Sequence, residues 1–241
     1  MPSSPRFLVT AGNTREAIDR VRDWGNIFTG RTGFEIAQAL LPVGSVTLLT
    51  SVPAHADAIT LAGGQAALFH THHELETLCA EHAQQSYHAI IMSAAVSDYT
   101  PDGVYEIMEQ RELPDAPGVQ QWTVRNVQQG KVKSTHPAIA IAGKPTAKIV
   151  DMFRARWHYC GLLIKFKLEV DLTDADLIQV ASASRLSSQA DLMVANTLAH
   201  VQGAVPKAFL IDEQGVGEVP RAALAATLVA WIVTHLPHDP S

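Results

Sequence analysis

Apolar positions along this chain follow two rhythms. "RFLVTAG" (6–12) is an unbroken apolar run ending in small residues, the pattern of a strand covered on both faces. "GFEIAQALLPVG" (33–44) spaces its apolar residues for a helix and stops at Pro42 and Gly44. "SVTLLTS" (45–51) returns to the strand pattern. Strand, long loop, helix and strand make a βαβ unit, whose parallel crossover is right-handed. The alternation repeats, with helices over 72–85, 146–158 and 174–189 and strands over 88–96, 160–170 and 190–198. A late strand over 207–215 and a last helix over 220–236, with Pro220 near its start, complete the set. The pattern predicts an α/β chain built as a Rossmann-like, doubly wound, mostly parallel sheet.

Residues 99–145 break the alternation. "VQQWTV" and "AIAIAG" read as short strands with Pro and Gly between them, and the stretch is too long for a plain connection. The expectation is an inserted β-hairpin that covers the site or serves as a dimer arm. With no internal repeat and no interior linker, residues 1–241 are expected to form a single domain. "PHDPS" at the end reads as a loose tail.

Composition narrows the function. The 241 residues are 47% hydrophobic, which is globular, and carry a formal net charge of −6 with no long basic run. That argues against a nucleic-acid partner. "MPSSPRFLVTAGNTRE" has no signal-peptide core, and no apolar run of about 18 residues occurs. A cytoplasmic protein without membrane contact is the expectation. Cys79 and Cys160 match no metal-ligand spacing and read as buried or half-buried thiols in a reducing compartment. Among eleven histidines, "FHTHHELE" (69–76) contains no i, i+4 pair. It reads as a polar surface loop entering a helix, and no metal site is predicted.

Ligands of open α/β sheets sit at the carboxyl ends of the strands. "TAGNTREAIDRVRDWGN" (10–26) places Gly12 at a turn, and Arg15, Arg22 and Arg31 offer forked donors to phosphate or carboxylate. "GNIFTGRTG" (25–33) sets Asn26, Gly30, Arg31 and Gly33 just ahead of a helix. "SAAVSDYTP" (93–101) has small Ser93, Ala94 and Ala95, then Asp98, a carboxylate for a ribose, a base amine or a metal-bound water. In "GKVKS" (130–134), Lys131 and Lys133 would share one face of a strand and suit a polyanion. In "KFKLEVD" (165–171), Lys165 and Lys167 alternate with Phe166, and Glu169 either offsets their charge or positions a metal. Each has a plainer use: arginines that solvate a loop, a turn aspartate, a solvated edge strand. GxGxxG, Walker A, GxSxG and zinc signatures are absent. The residues alone describe an anion-binding α/β protein.

Taken in order, "VTAGNTREAID", "VRDWGNIFTGRTG", "SAAVSDY", "KVKS" and "DLMVAN" resemble the motifs of phosphopantothenoylcysteine synthetase, the ligase step of coenzyme A biosynthesis. "SAAVSDY" and "IKFKLEVD" are closer in wording to eukaryotic-type synthetases than to the fused bacterial form, so a stand-alone enzyme is expected. The resemblance implies a two-step ligation with Mg²⁺ and ATP or CTP. The carboxylate of 4′-phosphopantothenate takes the nucleotide and releases pyrophosphate; the amine of cysteine then displaces the nucleotide. A carboxylate resists nucleophiles until its oxygen becomes a good leaving group, and cations must offset the charge that develops.

By the same resemblance, Asn26 binds the pantothenate portion and holds the acyl intermediate. Arg22 serves the cysteine step and Lys131 the formation of the acyl-nucleotide. Gly12, Ala94, Ala95, Asp98, Phe166 and Asn196 contact the nucleotide, and Gly30, Arg31 and Gly33 form the loop beside the phosphates. A homodimer is implied. The chain departs from the family in four places. Phe28-Thr29 replaces a Ser-Ser pair, "DRVR" replaces Asp-Pro-Val-Arg, "TAKIV" replaces an Asn-Pro-Asp-Ile-type stretch, and a lysine-rich approach to the last motif is "SRLSSQ", leaving Arg185 as its candidate cation. The alternative is a diverged nucleotide-binding module without ligase activity, or one acting on a related phosphorylated acid. Base choice is a matter of pocket shape, with the eukaryotic-type wording favouring ATP.

Overall fold

The computed structural model describes residues 4–203 and 206–236, so the "PHDPS" tail lies outside the described residues. The chain opens with strand β1 (Arg6–Ala11), a small hairpin β2 (Arg15–Ala17) and β3 (Asp23–Gly25), helix α1 (Arg31–Leu40) and β4 (Ser45–Thr50). Next come α2 (Pro53–Leu61), β5 (Gln65–Leu68), α3 (His72–Ala83) and β6 (Ala89–Met92). The excursion holds β7 (Tyr99–Glu112), β8 (Gln120–Asn126) and β9 (Ile139–Pro145). The chain then runs through α4 (Ile149–Ala155), β10 (Leu162–Glu169), α5 (Asp174–Ser187), β11 (Leu192–Thr197) and α6 (Leu198–Gln202). It closes with β12 (Lys207–Ile211), β13 (Val216–Pro220) and α7 (Leu224–His235).

Eight strands form one sheet in the order β13-β12-β11-β10-β6-β1-β4-β5. It is parallel from β5 to β11 and antiparallel where β12 and β13 join. Alternate residues of β1 supply opposite layers. Phe7, Val9 and Ala11 pack with Ile36 and Leu40 of α1 and Leu228 and Ile232 of α7. Leu8 packs with Leu75 and Cys79 of α3 and Phe153 of α4. The sheet is therefore doubly wound, as the sequence pattern predicts. Each fully buried Leu, Ile or Phe contributes about 1.5–3 kcal/mol. On α1 the buried positions are Gly33, Ile36, Ala37 and Leu40, one stripe at helical spacing.

Several local expectations change. The excursion is the expected hairpin, β7–β8, extended by β9 into a three-stranded antiparallel sheet, β8-β7-β9. "GKVKS" is a loop and not a strand: Val132 is buried between exposed Lys131 and Lys133, and its N–H donates to the Asp19 carboxylate at 3.0 Å. A side-chain acceptor has taken the place of a ladder partner. Pro220 ends β13 opposite Lys207, and the last helix begins at Leu224 after a 3₁₀ turn. Helix α2 and strand β5 fill a stretch that the periodicity left blank; α2 buries only Ile59 fully. The 69–76 segment is less superficial than predicted. Thr71 caps α3 in a capping box with Glu74, but His72 is buried, with its Nε2 2.7 Å from the Ala147 carbonyl oxygen. Cys79 is buried as expected, whereas Cys160 is exposed.

Candidate functional site

The strand order reverses beside β1: the chain runs outward through β4 and β5, then returns to β6 on the other side. The loops leaving β1 and β6 are stitched together past the strand ends. The Ala95 N–H donates to the Gly12 carbonyl at 2.9 Å, and the Thr14 N–H donates to the Ala95 carbonyl at 3.1 Å. The Ala94 N–H reaches Thr10 Oγ1 at 3.1 Å and the Ser97 N–H reaches Thr14 Oγ1 at 2.8 Å. This seam is the floor of a crevice of about 730 Å³, the expected ligand position for an open sheet.

Two glycines set the near wall. Gly30 has φ 75° and caps α1 at its amino end, and a Cβ there would stand 2.0 Å from the Gly12 nitrogen. No side chain caps the helix, so its first-turn amides remain available to an anion at the crevice. Asn26 is fixed over the floor, donating from Nδ2 to the Ala95 carbonyl at 3.2 Å. Its own carbonyl accepts from Asn13 Nδ2 at 2.5 Å. Arg31 lies at the rim, with Nε 2.7 Å from Glu35 Oε1 in an exposed pair. Phe28 and Thr29, the departures in this loop, also line the crevice.

The far wall comes from β10, β11, α4 and the end of α5. Phe166 and Asn196 line it, as do Ala94, Ala95 and Asp98 from the β6 side. Asp98 is ion-paired with Lys148, the residue before α4. Lys167 pairs with Glu169 at 2.8 Å. Lys165 donates to the Ser184 carbonyl at 3.2 Å and to Ser188 Oγ. Burial pushes the Lys165 ammonium below its ordinary pKa; Asp151 opposes that shift, while Lys167 and Lys148 add to it.

Ten of the twelve residues given roles by the resemblance thus meet in one crevice: Gly12, Asn26, Gly30, Arg31, Gly33, Ala94, Ala95, Asp98, Phe166 and Asn196. Arg22 and Lys131 do not. Arg22 sits on the β2–β3 turn, donating to Asp19 Oδ2 and, at 2.8 Å, to the Val132 carbonyl. Asp19 also accepts from the Val21, Arg22 and Val132 amides, and these donors, Arg22 first, hold its carboxyl well below the usual range. Arg22 and the loop carrying Lys131 therefore form one tied unit at the base of the excursion. Arg185 also stays outside the crevice, with NH1 donating to the Ala190 carbonyl at 3.1 Å.

Sequence reasoning missed Lys148 and Arg221. Lys148 stood within "TAKIV", where a cation just ahead of a helix was a readable signal. Arg221 gave none: it reaches the site from the end of β13, donating to Thr32 Oγ1 at 2.6 Å. Among the described residues no group of three or more His, Cys, Asp or Glu side chains could hold a metal ion. The carboxylates of the crevice are Asp98 and Asp151. A Mg²⁺ carried by phosphates needs only one or two such ligands, so this donor set fits. No helix among the described residues is long and apolar enough to cross a membrane.

Residues 3–112 match the family model of the DNA/pantothenate metabolism flavoprotein C-terminal domain. The chain is 29% identical over 221 residues to the coenzyme A biosynthesis bifunctional protein CoaBC of Thermococcus kodakarensis, covering 90% of this chain and 47% of that relative. It thus spans about half the length of this relative. The DNA/pantothenate metabolism flavoprotein from Streptococcus pneumoniae superposes with a TM-score of 0.74 at 28% identity, covering 96% of this chain and 99% of that one. The C-terminal domain of a CoaBC protein shares the fold, with a TM-score of 0.67 at 22% identity over 98% of both chains.

Proposed function

We propose that the chain is a phosphopantothenoylcysteine synthetase-type domain of the DNA/pantothenate metabolism flavoprotein family, on the strength of its likeness to that family model and to the relatives above, and that it is the ligase joining 4′-phosphopantothenate to cysteine through an acyl-nucleotide. The observation that carries this is the convergence of ten named residues on one crevice at the reversal point of the sheet. The first-turn amides of α1, with Gly12 and Gly30 close behind them, receive an anionic group. Asn26, locked to the floor, orients the pantothenate carboxylate toward the α-phosphate. Asp98 and Asn196 address the ribose or base, and Phe166 walls the base pocket. Asp98 and Asp151 are the residues to hold Mg²⁺, which when bound neutralises phosphate charge. The nucleoside triphosphate is ATP or CTP.

Arg22 and Lys131 reach the chemistry from the tied unit beside the crevice, by closure or from a second copy. The excursion presents Met108, Trp122 and Val124 half-exposed on one small sheet, which suits a homodimer arm. The chain acts as one domain in the cytoplasm. The position of Lys131 outside the crevice also favours a second reading, a nucleotide-binding module without ligase activity. Release of pyrophosphate from ATP or CTP, dependent on 4′-phosphopantothenate, separates the two. Asn26→Ala and Lys131→Gln are expected to abolish product while the melting temperature stays near wild type. Pyrophosphate release that ignores the acid refutes the ligase.

A further inference from the structure

Lys165 is a deeply set cation of the crevice wall, and none of the ligase roles uses it. Its side chain is 13% exposed, against 32% for Lys167 and 63% for Lys148. The three lysines differ in how their charge is met. Lys148 and Lys167 touch carboxylates directly, at Asp98 and Glu169. Lys165 stands 4.0 Å from Asp151, and the Ser188 hydroxyl lies between them, donating to Asp151 Oδ1 at 2.5 Å. Its ammonium has three hydrogens, and the protein takes two, at Ser188 Oγ and the Ser184 carbonyl. A third donor and a charge without a touching counter-ion remain for whatever enters.

The neighbouring wall needs such a cation. Ser184, Ser187 and Ser188 bring the carboxyl end of α5 to the crevice. That end carries the negative pole of the helix, which repels an anion. Arg185, the cation of the same segment, faces the Ala190 carbonyl instead. Lys165, from the adjacent strand, donates to the Ser184 carbonyl and supplies positive charge at the same place.

We propose that Lys165 is the oligophosphate-recognising residue of the crevice, giving its third hydrogen to an oxygen of the β- or γ-phosphate while Ser188 stays with Asp151. This rests on the nucleotide-dependent function proposed for the same site. It makes a chain of phosphates, more than the nucleoside, the part that Lys165 reads.

The test is calorimetric titration of wild type, Lys165→Met, Lys165→Arg and the exchange Lys165→Ser with Ser188→Lys, using ATP, ADP and AMP. The cytosine series replaces the adenine series if the protein takes CTP. Lys165→Met is expected to weaken tri- and diphosphate binding about 10- to 100-fold, as for loss of a charged hydrogen bond. Binding of the monophosphate should change by less than about threefold, since it carries no outer phosphate. The exchange variant should recover the triphosphate preference, because position 188 already touches the ammonium. Lys165→Arg should keep that preference and serves if the methionine variant fails to fold. Equal losses for all three nucleotides would mark Lys165 as a structural tie, and no loss for the triphosphate would remove the assignment. If wild type binds neither ATP nor CTP, the nucleotide-dependent ligase falls as well; if it binds and the variants do not discriminate, only the role of Lys165 falls.

Discussion

Gly30→Ala tests whether the near wall of the crevice is set by backbone contact. Two costs add. The left-handed conformation at φ 75° costs a non-glycine residue about 1–2 kcal/mol. The new Cβ would also lie 2.0 Å from the Gly12 nitrogen, 2.5 Å from its Cα and 3.1 Å from the Ala11 carbonyl carbon. These are main-chain atoms of β1 and its turn, with no side chain to swing aside, and such overpacking costs about 1–3 kcal/mol. The sum is about 2–5 kcal/mol. Restoring an ordinary contact of 3.4 Å from 2.0 Å requires the loop to retreat by 1.4 Å. A shift of that size moves the α1 amides away from the floor, and a misplacement of about 1 Å can cost about 10²-fold in rate. Gly63→Ala is the comparison: φ is 90° there, but nothing lies within 4 Å, so only the conformational cost applies. Chemical denaturation gives both stability changes, and pyrophosphate release gives the rate. Gly30→Ala should lose more stability than Gly63→Ala and lose activity, while Gly63→Ala keeps its activity. Equal destabilisation with unchanged activity in both would refute the packing argument.

Phe153→Ala should cost about 3–5 kcal/mol in denaturant unfolding, because the fully buried ring packs edge-on against Trp157 and Tyr159; a loss under about 1 kcal/mol would contradict that packing. Asp19→Asn should loosen residues 127–138, read as faster amide exchange there, and lower the ligation rate more than nucleotide affinity. Its pH dependence has a fixed sign. The folded carboxyl is depressed, so its contribution is complete above the unfolded value of about 3.9 and drains as pH falls toward the folded value. The stability gap between wild type and Asp19→Asn should therefore narrow below about pH 4, and a constant gap would exclude the mechanism. Thr71→Ala removes the capping box of α3 and should cost about 0.5–2 kcal/mol by thermal melting.

Much of the sheet was legible because a buried parallel strand leaves a continuous apolar run, as in "RFLVTA" and "AIIM". What escaped lacked that signal. Strand β5 is an edge strand of four residues, and the three-residue strands of the β2–β3 hairpin are too short for any period to show. Strand β13 was hidden because Pro220 looked like a helix start. On an edge strand proline is tolerated, since one side of the strand needs no ladder partner. The crevice residues were legible as small and polar positions after apolar strands. The separation of Lys131 from them was not, because it depends on Asp19 drawing in the Val132 amide from 113 positions away. Lys133 and Lys131 alternate in sequence as a strand would have them, but one side-chain acceptor overrides that pattern.

The seam between β1 and β6 divides the labour of any redesign. Two of its contacts join the peptide groups of Gly12, Thr14 and Ala95, which an exchange of side chains leaves in place so long as no new atom collides, and two more depend on the Thr10 and Thr14 hydroxyls. The surrounding positions, Phe28, Lys148 and Ser187 among them, are side chains facing the same space and free of that constraint. A programme to retune which acid or base is admitted should therefore vary the walls and leave the landing place untouched.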